Sequence, residues 1–108
     1  MAVIAVEEGL RRVVNNKQLF FRLLNNFSGR NMADQIITAV QSGDFEGAAA
    51  ACHGLKGAAA NLAMHPLADI VGKIEERLRA GESPDDLFPI LHESLDAVEA
   101  AITEIVSS

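Results

Sequence analysis

Apolar residues recur at intervals of three and four along most of the chain, the spacing of one face of an α-helix. Residues from about Glu7 to Val14 form a short amphipathic segment with Leu10, Val13 and Val14 inward, ended by Asn15-Asn16 and predicted to cap the bundle. From Lys17 the apolar positions are Leu19, Phe20, Leu23, Leu24 and Phe27, and Ser28-Gly29 supplies a stop. Asn31, with Asp34 three positions on, reads as an N-cap and its reciprocal acid, opening a helix with Ala33, Ile36, Ile37 and Val40 on one face. Ser42-Gly43 closes that helix, and Asp44 caps the next, which runs to about Ala63. Pro66 suits the first turn of a further helix with Leu67, Ile70, Val71, Ile74 and Leu78 inward and Gly81 at its end. The last segment shows Phe88, Leu91, Leu95, Val98, Ile102 and Ile105. With Asp86 as its cap, Pro89 falls in the first turn, where a missing N–H is not needed.

No run of alternating aromatic and β-branched residues interrupts this pattern, and short connections favour antiparallel neighbours. The expectation is one all-α domain over residues 1–108, an antiparallel up-and-down four-helix bundle with a short additional N-terminal helix. A length of 108 residues suffices for one self-supporting core. The net charge of −6, with basic residues that read as scattered, argues against a nucleic-acid surface. No span approaches the roughly 18 apolar residues of a membrane helix, so no membrane insertion is expected. Met1 to Val6 is short, lacks a basic leader and runs into Glu7-Glu8, unlike a secretion signal. The single cysteine, Cys52, cannot close an internal disulfide, which fits a reducing, cytoplasmic setting.

The chemistry concentrates in Ala51-Cys52-His53-Gly54-Leu55-Lys56-Gly57-Ala58-Ala59-Ala60-Asn61-Leu62. If Leu55 marks the buried stripe, Leu62 points nearly the same way and His53 and Gly57 almost the opposite way, so the imidazole should meet solvent. Lys56 sits on the adjacent turn, within reach of a group attached to the ring. Gly57 costs roughly 1 kcal/mol relative to alanine in a helix interior, which suggests that something approaches closely there. A neutral imidazole is nucleophilic, and with an ordinary pKa near 6.5 much of it is neutral at pH 7.

His53, Lys56, Gly57, Ala58, Ala59 and Leu62 together resemble the phosphoacceptor motif of histidine-containing phosphotransfer (HPt) domains. The order of helices on both sides resembles the family as well. One position departs: the family often has glycine where this chain has Ala63. The resemblance implies a phosphocarrier of a two-component phosphorelay, accepting a phosphoryl group on His53 from one receiver domain and passing it to another. His53 would be the phosphoacceptor, Lys56 would neutralise phosphoryl charge, and Gly57 would admit the receiver. The implied partners are response-regulator receiver domains or a hybrid sensor histidine kinase, with Mg²⁺ supplied by the receiver. No cofactor of its own, no ATP site and no autophosphorylation are expected, and a monomer is the simplest state.

An antiparallel hairpin centred near Met64 sets Glu75 beside His53, where it could accept from Nδ1–H and hold the outer nitrogen, Nε2, outward. The position resembles one where family members carry Glu or Gln. A rotated helix would bring Glu76 or solvent there instead. His65, in the turn before Pro66, and His92, on the final helix, read as surface or capping residues, and the three histidines lack the close spacing of a zinc site. Two rivals remain: a non-catalytic helical adaptor whose surface histidine is incidental, and a thiol enzyme built on Cys52 with His53, which requires an exposed, low-pKa thiol.

Overall fold

A computed structural model describes residues 2–107. Its helices are α1 (Val6–Arg12), α2 (Lys17–Asn25), α3 (Gly29–Gln41), α4 (Phe45–Asn61), α5 (His65–Arg79) and α6 (Phe88–Ser107), with one 3-10 turn, Asp85–Leu87, before the last. Helices α3 to α6 form the antiparallel bundle. Three-residue connections after α3 and α4 force each following helix to fold straight back. Two helices, rather than the one expected, precede the four: the segment from Lys17, already set apart by Asn15-Asn16 in the apolar pattern, forms α2 ahead of the bundle. Asn16 then caps α2 through a 3.1 Å bond from Leu19 N–H to its side chain.

The local signals worked unevenly. Asp44 caps α4 by accepting from Gly47 N–H at 2.9 Å, Pro66 lies in the first turn of α5, and Gly81 ends that helix at φ +75°. Asn31, in contrast, is not a cap: α3 begins two residues earlier, at Gly29. Gly29 opens α3 instead of ending α2, because the Phe27 ring lies where its Cβ would be, at 2.5 Å. Asp86 is not a cap either. It lies in the 3-10 turn, where its carboxylate accepts from Arg77 at 2.7 and 3.2 Å, and α6 starts at Phe88 with Pro89 in its first turn.

Helix α4 is the centre of the fold, packed between α3 and α5. Its inner face is Ala48, Ala49, Cys52, Leu55 and Ala59, all buried. Such small side chains let the flanking helices come close enough to pack around α4. Phe20, Leu24, Ile36, Leu67, Ile74, Leu91 and Leu95 complete a core supplied by every helix but α1. The turn after α4 closes with Met64 N–H to Ala59 O at 2.8 Å and Ala63 N–H to Ala60 O at 3.0 Å. This geometry needs a left-handed residue, and Ala63 supplies it at φ +59°. Alanine pays a steric cost there that glycine would avoid, which accounts for the glycine favoured at this position.

Helix α1 is tied to this same end. Ala5 N–H donates to Ala63 O at 2.9 Å, the Arg12 guanidinium donates to Ala60 O, and His65 Nε2 lies 2.7 Å from Glu8 Oε2. His65 therefore staples α1 to α5. Among the described residues, no helix is long and apolar enough to cross a membrane.

Candidate phosphoacceptor site

The outer face of α4 is bare. Ala50, His53, Gly54, Gly57 and Asn61 are exposed, and the His53 side chain keeps 73% of its accessible surface. A Cβ added to Gly57 would meet nothing within 4 Å. The glycine thus answers no packing need of the fold, and Gly57→Ala is expected to stabilise the protein by about 1 kcal/mol through helix propensity. Urea melts of the two proteins measure this, and a loss of stability would overturn it.

Among the described residues, Glu75 is the one charged residue buried in the core, 7% exposed, and it faces the His53 turn from α5. Its Oε2 accepts from Arg79 Nε at 2.9 Å and Nη2 at 2.8 Å. Lys56 Nζ stands 3.2 Å from Oε1, an ion pair without hydrogen-bond alignment, since Oε1 has no hydrogen-bond partner among the described residues. His53 Nδ1 lies 3.8 Å from Oε2, beyond a hydrogen bond. The hairpin therefore sets Glu75, not Glu76, beside the ring, and two cations hold its carboxylate. Gly72 on α5 makes room for the lysine: a Cβ there would already touch Lys56 Cδ at 3.5 Å.

Burial pushes the Glu75 carboxyl up, but the hydrogen bonds from Arg79 and the ammonium of Lys56 outweigh it, leaving the group below its ordinary pKa. A depressed folded pKa contributes stability that is present above the unfolded value, about 4.3, and is lost as pH falls through the folded value. Thermal melts should therefore show wild type above Glu75→Gln at pH 7, with the gap closing in acid. A gap independent of pH would contradict the assignment.

Arg79 escaped the sequence reading. The signal was present, since Arg79 follows Glu75 by four residues on one helix, but nothing in the pattern showed that Glu75 would be buried and in need of a partner. Cys52, beside His53 in sequence, points the other way: it is fully buried, and burial, with the Glu75 charge next, pushes its thiol up to about 12. It is not the exposed, low-pKa thiol that a nucleophile requires. His92 lies on α6 with Arg30 Nη1 3.5 Å away, in a network where Arg30 donates to Asp96 at 2.7 Å and to Glu99 at 2.8 Å. Neither His65 nor His92 joins the site. No cluster of three or more His, Cys, Asp or Glu side chains among the described residues could hold a metal ion.

An exposed imidazole on a bare helix face, flanked by a lysine and backed by a carboxylate inside a helical bundle, defines a class of protein that can carry a group on histidine. The Hpt domain family model matches residues 28–101, well over half of the chain, and the chain belongs to that family. The match takes in α3 to α5 and most of α6, and with them His53, Lys56, Gly57 and Glu75, whereas α1 and α2 lie before it. No curated protein and no solved structure gives a significant match. Hpt domains serve histidine phosphotransfer in phosphorelays, with receiver domains and kinases as their partners.

Proposed function

We propose that this protein is a cytoplasmic, monomeric phosphocarrier that accepts a phosphoryl group on His53 from the aspartyl phosphate of one receiver domain and passes it to another. The observation that carries the reading is the exposed His53 ring on an α4 face left open at Gly57. In the neutral ring, Nε2 attacks phosphorus as the bond to the aspartate oxygen breaks, and the carboxylate is released on the receiver, whose own Mg²⁺ would neutralise its charge. Nδ1 keeps its proton, so the phosphorylated ring carries positive charge, and Glu75 lies 3.8 Å from that nitrogen to balance it. Phosphoryl transfer depends chiefly on positioning and charge neutralisation; Lys56 lies one turn from the acceptor on α4, and Arg79 on α5 shares the Glu75 carboxylate with it. While both are held on Glu75, either can turn to the phosphoryl oxygens once these arrive, freeing the carboxylate for Nδ1–H.

This mechanism asks no base and no nucleotide of the chain, which makes it an intermediate of the relay and not an autokinase. The test is transfer from a panel of pre-phosphorylated receivers, read by intact mass and by the acid lability of the label. Acid-labile label supports the carrier. A folded protein that no receiver labels would leave the helical adaptor as the better reading.

A further inference from the structure

Gly72 stands in the middle of α5, where glycine is a poor helix former. The core does not ask for it. A Cβ built there would meet, among the described residues beyond its chain neighbours, a single side-chain atom: Lys56 Cδ at 3.5 Å, an ordinary van der Waals contact. Gly9 and Gly29, by contrast, each have a phenylalanine ring in the space of the missing side chain. What the bare backbone at Gly72 accommodates is therefore the stem of the lysine beside the acceptor.

Gly72 precedes Glu75 by three residues and so shares its side of α5. The Lys56 stem passes over Gly72, and its ammonium ends 3.2 Å from Glu75 Oε1. A groove of about 370 Å³ opens at the same place, lined by Lys56, Ala68, Gly72 and the charged Asp69, Lys73 and Glu76. Asp69 and Glu76 are exposed carboxylates that compete for the ammonium. Bulk at position 72 would lift the lysine stem off α5 and give its ammonium to these acids and to solvent, away from Glu75 and His53.

We infer that Gly72 is a positioning residue for phosphoryl transfer: by leaving α5 bare beneath Lys56, it fixes the path along which the ammonium reaches Glu75 and, once they arrive, the phosphoryl oxygens on His53, an assignment that rests on the carrier reading. Two readouts test it. Against the burial that raises it, Arg79 and then Lys56 hold the Glu75 carboxyl below its ordinary pKa. Titration followed by carbon NMR should therefore place this carboxyl at higher pH in Gly72→Leu and in Lys56→Ala than in wild type, with no further rise in the double variant. Labelling by phosphoramidate, a small donor that needs no docking, should slow about tenfold in Gly72→Leu, a smaller loss than a buried donor gives because Lys56 is half-exposed. Gly72→Ala, whose added carbon only reaches contact, should keep most of the rate. In a Lys56→Ala background the leucine should change the rate by less than about twofold, since the group through which it acts is gone. Circular dichroism checks folding. Gly72→Gln sets similar carbons against the lysine with an end that reaches solvent, and it replaces Gly72→Leu if that variant does not fold. A Glu75 titration or a labelling rate that stays at the wild-type value in the folded variant, or a loss that persists without Lys56, would overturn the role of Gly72. A wild type that no receiver labels would overturn the carrier reading, and the Glu75 titration would still decide whether Gly72 seats Lys56.

Discussion

His53→Gln is expected to take up no acid-labile phosphoryl group from a receiver that labels the wild type. An amide nitrogen is not nucleophilic, so the loss is complete and not graded. The ring is 73% exposed and its Nδ1 lies 3.8 Å from Glu75 Oε2, beyond a hydrogen bond, so stability should stay within about 0.5 kcal/mol. Intact mass after incubation with the phosphorylated receiver, beside a melt of the same sample, separates chemistry from folding. Label persisting on a folded His53→Gln protein would move the acceptor elsewhere, and His65 and His92 would be the first positions to map. The opposite pattern, an unfolded variant, would mean that the ring supports the bundle in a way its exposure does not reveal.

Leu55→Ala lies at the other extreme, with a large effect on stability and a small one on chemistry. Leu55 is fully buried, and among the buried side chains of α4 it is the one large aliphatic, between Ala48, Ala49, Cys52 and Ala59. Neighbours drawn in by such small residues have little freedom to collapse into the gap. Truncation should cost about 2–5 kcal/mol, against a total of about 5–15 for a domain of this kind. Urea unfolding at fixed temperature gives the figure. The folded fraction should still carry label on His53, because α4 turns that ring to the opposite face. A loss below about 1 kcal/mol would mean that α3 and α5 close over the cavity after all.

These two residues, two apart on one helix, mark how far a linear reading reaches. Their opposed orientations follow from the 3.6-residue period, so the buried Leu55 and the exposed His53 were both legible without coordinates. Legible too were the Asp44 cap and the Gly81 stop, where a side chain or a missing one acts on its own helix. The misreadings involve residues whose partner is outside their own segment or has to be chosen among rivals. Gly29 has the composition of a helix stop, yet the Phe27 ring occupies the space of its missing side chain, and Asp86 has that of a cap, yet Arg77 claims its carboxylate.

The chain's sequence was enough for the helical segments, the inward faces of α2 to α6 and the outward side of α4 that carries His53 and Gly57, because these are set by periodicity. It failed at Val14, read as inward but 88% exposed beyond the end of α1. Burial of Glu75, its capture by both Lys56 and Arg79, the 3.8 Å gap to His53 and the packing of α2 against α6 came only with the assembled fold. These depend on how far each helix is rotated and shifted against its neighbours. A turn of one residue, about 100°, would have set Glu76 beside the ring; side chains packing across helices, not their spacing along one, select the rotation.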